Sequence, residues 1–212
     1  MSESTPDPFQ IRLAASAFII VDMQNDFVRV GAPLEVPDAS RTIEPIRQVT
    51  RVFREARRPL IYTRFVAGPG ETLLWKWSPQ IYPPINCCHP GFRRRYEDIR
   101  AERECTAVID ELEVQPGDYV VDKFGYGAFF RTNLPDILAS TGTDTVVIAG
   151  TVTQICIEET GRQSFHHGYQ TVLLSDAVSS FDPELHAATL KNFAMKFGMV
   201  LASVQFLRRV RG

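Results

Sequence analysis

The chain has 212 residues, of which 44% are hydrophobic and 23% are charged, and its formal net charge is −2. This size and composition fit one domain, residues 1–212, whose core can form without disulfide or metal crosslinks. Such a small net charge gives no field that would attract nucleic acid, and no apolar run approaches the ~18–20 residues that span a membrane. Four cysteines and a polar N-terminus without a signal pattern predict a cytoplasmic protein with a flexible segment at 1–14.

Apolar runs alternate with helical patterns along the chain. Most of the runs are continuous, as in parallel strands that are covered on both faces. The predicted strands are Ala17–Asp22, Leu60–Val66, Tyr119–Asp122, Thr145–Ala149, Thr171–Leu174 and Val200–Val204. The predicted helices are Ser40–Arg58, Asn133–Ser140, Ile155–His167 and a last one from Asp182 to Gly198. This alternation predicts a parallel α/β sheet with right-handed crossovers.

One segment, residues 67–101, shows neither a clear helix nor a clear strand. It contains Trp75 and Trp77, whose large side chains would be costly to leave in water, and the basic run Arg93–Arg95. An irregular stretch of this length inside a domain is usually a lid, a binding loop or an interface. We expect the arginine run to lie on a solvated or inter-subunit face rather than in a substrate site.

Three reactive side chains stand at or just beyond the ends of predicted strands. Asp22 closes the first strand, Lys123 follows the third, and Cys156 begins a helix after the fourth. Because ligands bind at the carboxyl ends of parallel strands, the three are expected at one edge of the sheet. Each alone has an ordinary explanation as a turn cap, a strand-end lysine or a packed thiol. Together they are typical of a nucleophilic hydrolase.

Each of these residues has a step to perform in such a reaction. A helix N-terminus favours the thiolate form of Cys156, and Lys123 could stabilise that charge. Asp22 could accept the thiol proton and later return it to the leaving amine. The backbone N–H groups of the turn before the helix could stabilise the oxyanion.

Five segments of the sequence form a recognisable set: Val21–Phe27, Val121–Lys123, Gly127–Leu134, Ala149–Cys156 and Ser175–Ala177. Together they resemble the isochorismatase-like cysteine hydrolases, and the resemblance extends from about residue 17 to residue 204. The resemblance implies a three-layer, Rossmann-like α-β-α fold with a six-stranded parallel sheet. It makes Cys156 the nucleophile, Asp22 the proton shuttle and Lys123 the activating cation. It also implies a cis peptide after Thr151, which aims the N–H of Val152, with that of Cys156, at the oxyanion.

Two departures from this family narrow the chemistry. Nicotinamidases of the family hold a metal with an Asp and histidines after the second strand, but Tyr62–Val66 contains no Asp-x-His. The four histidines of the chain do not restore that spacing, so we expect no metal and no other cofactor. True isochorismatases lack the cysteine, so its presence disfavours vinyl-ether hydrolysis.

The resemblance favours a metal-independent cysteine amidohydrolase that acts on a small carbamoyl or ureido substrate. Similar members act on N-carbamoylsarcosine, ureidoacrylate or biuret. Candidate substrate-binding residues are Phe27, Trp75, Trp77, Tyr126, Gln24 and Arg131, although Arg131 could equally be a solvated residue at a helix start.

The expected partner is a small amide or ureido molecule, with neither nucleic acid nor membrane involved, and a homodimer or homotetramer is expected. One alternative is a maleamate-type amide or an ester substrate on the same fold. Another is a non-catalytic or nucleotide-binding module, although no glycine-rich phosphate loop follows any strand.

Overall fold

Eight strands form in the structure, a computed structural model that describes residues 9–211. They are β1 (Ser16–Val21), β2 (Leu60–Phe65), β3 (Arg93–Tyr96), β4 (Ala101–Glu104), β5 (Tyr119–Lys123), β6 (Thr145–Thr151), β7 (Gln170–Ser179) and β8 (Met199–Leu201). Six of them make one parallel sheet in the order β5-β2-β1-β6-β7-β8. The remaining two, β3 and β4, form a separate antiparallel hairpin.

Helices cover both faces of this sheet. They are α1 (Asn25–Val28), α2 (Ile43–Glu55), α3 (Leu73–Trp77), α4 (Leu134–Ser140), α5 (Glu158–His166), α6 (Pro183–Lys196) and α7 (Ser203–Arg211). Apolar residues of α2 and α7 pack in the core on one face, and those of α4 and α6 pack in the core on the other. The predicted three-layer fold with six parallel strands is therefore confirmed. None of the described helices has the length and apolar character needed to cross a lipid bilayer.

The position of the central strand β1 explains why its sequence is almost entirely apolar. Successive side chains of a strand point to opposite faces, and here both faces are buried. Phe18 packs against Phe53 of α2, with ring centroids 5.5 Å apart, and Phe53 stacks on Phe206 of α7 at 6.1 Å. Ile19 belongs to the core on the opposite face, which contains Phe193 of α6.

The prediction for the last strand is wrong at its C-terminal end. The strand β8 stops at Leu201, and α7 begins at Ser203 instead of continuing the predicted run to Val204. Asp176 fixes this start, because its two carboxylate oxygens accept hydrogen bonds of 2.7 Å from the backbone N–H and the hydroxyl of Ser203. An acidic acceptor at a helix N-terminus is favourable, and it comes from a distant strand that local sequence does not reveal.

The segment 67–101 is more regular than predicted. It contains α3 and the strand β3, which pairs with β4 just beyond it. The pairing places Arg93 opposite Glu104 and Arg95 opposite Glu102, and opposite charges across a ladder stabilise an antiparallel pair. Because both strands consist mostly of charged residues and lack an apolar alternation, a search for hydrophobic patterns does not find this hairpin.

A buried carboxylate attaches this hairpin to the domain. Asp26 accepts hydrogen bonds from the hydroxyl of Tyr96 at 2.7 Å, from Nε of Arg94 at 3.1 Å and from the backbone N–H of Cys88 at 3.0 Å. In the arginine run that was predicted to lie on a solvated or inter-subunit face, Arg93 and Arg95 are exposed, whereas Arg94 pairs with an interior charge. Three donors to one carboxylate compensate for its burial.

The predicted flexible segment 1–14 falls partly outside the described residues, which begin at residue 9. Within the described part, Ile11 is buried and Arg12 pairs with Asp144 at 2.6 Å. A 3₁₀ turn, Leu13–Ala15, then leads into β1. Ile11 is thus part of the core and Leu13 packs against it, while Arg12 and Ala14 are exposed.

Candidate active site

The structure brings the three predicted catalytic side chains together. Asp22 follows β1, Lys123 ends β5, and Cys156 lies in the turn after β6. The Nζ atom of Lys123 is 2.7 Å from Oδ2 of Asp22, and both side chains are almost completely buried. The Cys156 thiol interacts with both of these charged groups. A carboxylate, an ammonium and a thiol therefore share one buried site at the carboxyl edge of the sheet, where α/β proteins bind ligands.

The neighbouring strand holds the Asp22 carboxylate in place. Asp22 has a positive φ of 52°, which turns the chain sharply after β1. Its backbone N–H donates to the Thr63 carbonyl at 3.2 Å, and the Thr63 hydroxyl donates to its Oδ1 at 2.8 Å. Oδ1 is thereby occupied, and Oδ2 faces Lys123. Aspartate tolerates this left-handed conformation better than most residues.

The turn that carries Cys156 needs a glycine before it. Gly150 has φ +116°, and a Cβ built there would lie 2.1 Å from the Val21 carbonyl oxygen, so only glycine lets β6 lie this close to β1. The peptide bond between Thr151 and Val152 is cis. A π-helical turn, Thr153–Ile157, then contains Cys156, and the α-helix itself begins two residues beyond the cysteine, at Glu158.

Burial determines the protonation state of the thiol. The pKa of Cys156 is raised to about 12, mainly because the thiol is buried. The positive charge of Lys123 lowers this pKa, and the negative charge of Asp22 raises it further. For Lys123, burial alone would lower the pKa, but the charges of Asp22 and Cys156 outweigh it and the pKa is raised. The resting site at neutral pH therefore contains a thiol beside an ammonium. This corrects the expectation that the position of Cys156 before a helix favours the thiolate.

A pocket of about 640 Å³ opens above Cys156. Among the residues predicted to contact substrate, Phe27, Trp77 and Tyr126 line it. Trp77 is 84% exposed, which places it at the mouth. The other lining residues are mostly apolar: Pro33, Leu34, Glu35, Val36, Phe65, Leu74, Ser78, Gln80, Val152, Ile155 and Phe181.

Gln24 does not contribute to this pocket, contrary to the prediction. Its side chain is fully buried, and all its hydrogen bonds go to backbone groups of neighbouring segments. Nε2 donates to the carbonyls of Phe65 and Thr106 at 2.9 and 3.1 Å, and Oε1 accepts from the Phe65 N–H at 2.7 Å. Gln24 therefore joins three chain segments behind the site rather than binding substrate.

Trp75 and Arg131 are also outside the pocket lining, contrary to the prediction. The Trp75 ring packs edge-on against Tyr82 and His89, with centroids 5.4 and 5.5 Å apart. Arg131 is exposed, and its guanidinium lies 5.2 Å from the centroid of the Phe130 ring. Of the two tryptophans, only Trp77 is therefore directed to the pocket.

Comparison with known proteins identifies the family of this chain. The Isochorismatase domain family matches residues 16–205. The chain belongs to the isochorismatase family. The ureidoacrylate amidohydrolase RutB of Rhizobium rhizogenes is 30% identical over 97% of this chain and 87% of its own. A cysteine hydrolase structure from Pseudomonas syringae pv. phaseolicola superposes with a TM-score of 0.85 at 25% identity, covering 99% of both chains. The N-carbamoylsarcosine amidase structure from Thermoplasma acidophilum gives a TM-score of 0.69 at 29% identity, covering 89% of this chain and 96% of its own.

One group of potential metal ligands lies elsewhere in the described part of this isochorismatase-family chain. Ligand atoms of Asp26, Cys87 and Cys88 lie within 4.8 Å of one another, and all three residues are buried. The Asp26 oxygens already accept hydrogen bonds from Arg94, Tyr96 and the Cys88 N–H. Burial raises the pKa of Cys88 well above its usual value. A metal would have to displace these donors and the thiol protons, so the group is better explained as the anchor of the hairpin.

The sequence prediction missed two features of the site. Gly150 could have been found, because it directly follows the apolar run of β6. Glu35 could not, because it lies in a loop without any periodic pattern. Glu35 is an exposed residue among those that line the pocket, and its Oε2 accepts a hydrogen bond of 2.7 Å from the Gly31 N–H.

Proposed function

We propose that this protein is a metal-independent cysteine amidohydrolase that cleaves a C–N bond of a small amide or ureido substrate. The observation that carries the proposal is the buried Asp22–Lys123 pair that interacts with Cys156, which in turn lines an apolar pocket. The relatives named ureidoacrylate amidohydrolase and N-carbamoylsarcosine amidase support a C–N bond as the target. The absence of an Asp-x-His sequence in Tyr62–Val66 favours a reaction without a metal.

The first half of the reaction forms an acyl-enzyme. Sγ of Cys156 attacks the substrate carbonyl carbon while Asp22 takes the thiol proton, and a C–S bond forms. The carbonyl oxygen becomes an oxyanion, to which the backbone N–H groups of Val152 and Cys156 donate. The Val152 N–H is suited to this role because it makes no hydrogen bond to the described residues of the chain.

The second half releases both products and restores the thiol. Asp22, now protonated, gives its proton to the substrate nitrogen as the C–N bond breaks, and ammonia or an amine leaves. Water then adds to the thioester carbonyl while Asp22 accepts a proton from it. The C–S bond breaks, the acid product leaves, and the sulfur regains its proton. Lys123 balances the negative charge of the carboxylate or the thiolate throughout, which is why its burial is tolerated.

A panel of small amides, ureas and esters, assayed for ammonia or alcohol release, tests this proposal. We expect C–N cleavage by the native protein, and Cys156→Ser should lose on the order of 10³-fold or more in kcat/KM. Mass spectrometry of the native protein mixed with substrate should show an acyl group on Cys156. The matched control is Cys105→Ser, which retains a hydroxyl donor where the Cys105 thiol donates to the His89 carbonyl at 3.2 Å. Unchanged turnover in Cys156→Ser would contradict the proposal.

A further inference from the structure

The charged groups of the pocket are unevenly distributed. Among the 15 residues that line it, Glu35 is the only one that carries a formal charge in the resting state, and no lysine or arginine contributes. The nearby cation, Lys123, is absent from the lining and is already paired with Asp22 at 2.7 Å. Residues 1–8 and residue 212, which lie outside the described chain, also contain no lysine or arginine.

Glu35 is available to a molecule that enters the pocket. Its Oε2 accepts from the Gly31 N–H, which holds the side chain in place, and it forms no ion pair with any described residue. It lines the same pocket as the aromatic rings of Trp77, Tyr126 and Phe181, all of which are partly exposed. A carboxylate beside aromatic rings attracts cationic groups, tolerates neutral ones and repels anions.

This lining is unsuited to the substrates for which the relatives are named. Ureidoacrylate and N-carbamoylsarcosine each carry a carboxylate besides the C–N bond that is cleaved. An anion that leaves water for an apolar pocket needs a cation or several N–H donors in compensation. Here it would instead meet the negative charge of Glu35.

We propose that the pocket selects amides or ureas whose non-reacting part is apolar and carries no negative charge, with Glu35 acting against carboxylates. This inference rests on the proposed function, because it concerns the substrate of the same Cys156 site. It assigns to Glu35 a role in substrate specificity. It also distinguishes the substrate of this chain from the carboxylate-bearing substrates for which the relatives are named.

Two isosteric amides test the selection directly. Levulinamide (4-oxopentanamide) is neutral, whereas succinamate has the same length and ends in a carboxylate. We expect kcat/KM for levulinamide to exceed that for succinamate by on the order of tenfold or more, the effect of a like charge a few Å away in a partly hydrated site. Glu35→Gln should reduce this ratio at least about threefold, because the amide still accepts from Gly31 but carries no charge. Glu55→Gln, at the end of α2 that is remote from the site, should leave the ratio unchanged. A preference for succinamate, or a ratio that Glu35→Gln does not change, would overturn the inference.

A second measurement does not depend on turnover. The rates at which neutral iodoacetamide and anionic iodoacetate alkylate Cys156 can be compared by peptide mass mapping, with 2-mercaptoethanol as the free-thiol reference. We expect iodoacetate to be slower relative to iodoacetamide on Cys156 than on the reference, and Glu35→Gln to narrow the difference. The inference fails if iodoacetate reacts relatively faster on Cys156. If charge selection is seen here but no amide is hydrolysed, the proposed function fails while the assignment of Glu35 stands.

Discussion

Asp22→Asn should separate the reactivity of the thiol from catalysis. The variant lacks the group that takes and returns the proton, so we expect hydrolysis to fall by on the order of 10²-fold or more. The Cys156 thiol should nevertheless become more acidic, because the charge of Asp22 contributes to its raised pKa. Alkylation of Cys156 should therefore become faster while turnover is lost.

The size of this effect follows from the ion pair. Lys123 lies 2.7 Å from Asp22 in the native site, and with asparagine it would be left as a buried cation without a counter-anion. The thiolate of Cys156 is the anion within reach. Two unit charges about 4 Å apart at an effective dielectric of ~20 interact by about 4 kcal/mol, which corresponds to roughly three pKa units. This value is an upper limit for the decrease in the pKa of Cys156. We expect the pKa of Cys156 to fall from about 12 by at least about one unit, and alkylation near pH 8 to rise about tenfold or more.

The assay is iodoacetamide labelling between about pH 6 and pH 10, read out by mass spectrometry on the Cys156 peptide, with ammonia release measured in parallel. In the native protein the rate should keep rising with pH over this range, because burial raises the pKa of Cys156 to about 12. Asp122→Asn is the matched control, since it removes a carboxylate beside Lys123 that pairs with Arg64 instead. Circular dichroism and thermal unfolding establish that each variant is folded. If labelling of Asp22→Asn falls together with turnover, Asp22 activates the resting thiol and our reasoning is refuted.

Three further substitutions have expected outcomes. Lys123→Met removes the cation that lowers the pKa of Cys156, so alkylation near pH 8 should slow about tenfold or more and turnover should be lost. Gln24→Ala removes buried side-chain hydrogen bonds to backbone groups and should lower the free energy of unfolding in urea by about 2–4 kcal/mol. A decrease below about 0.5 kcal/mol would contradict the role of Gln24 in holding neighbouring segments together. Gly150→Ala should yield no folded protein, because the added Cβ would lie 2.1 Å from a strand carbonyl. Gly142→Ala, with φ +61° in open space, should cost only about 1–2 kcal/mol in thermal unfolding.

The strands and the three central residues were predictable from sequence for a common physical reason. A strand buried on both faces needs a continuous apolar run, so a polar residue at the end of such a run marks the carboxyl edge of the sheet. Asp22 and the turn before Cys156 follow runs of this kind, in β1 and β6. Lys123 instead ends β5, an edge strand whose short apolar run Tyr119–Val121 is only partly buried. The sheet order then determines that β5, β1 and β6 deliver them to one place, although β2 lies between β5 and β1.

Other features depend on contacts that local sequence does not encode. Gln24 is only two residues from Asp22, yet a strand and a distant loop occupy its side chain. The strands β3 and β4 consist mostly of charged residues and are attached to the domain through the buried Asp26, so they have no apolar period to detect. The pKa of Cys156 is the balance of opposing effects from burial, Lys123 and Asp22, and only the depth of burial decides its direction.

A raised thiol pKa is compatible with a nucleophilic Cys156, because the proposed proton transfer stays inside the buried cluster. The resting group of thiol, carboxylate and ammonium has no net charge. After the proton moves from sulfur to Asp22, the group of thiolate, carboxylic acid and Lys123 ammonium also has none. Loss of the proton to bulk water would instead leave a buried net negative charge, and the pKa of about 12 reflects that cost. The thiol should therefore react sluggishly with reagents that need a preformed thiolate, and readily with a carbonyl that binds where attack and proton transfer can occur together.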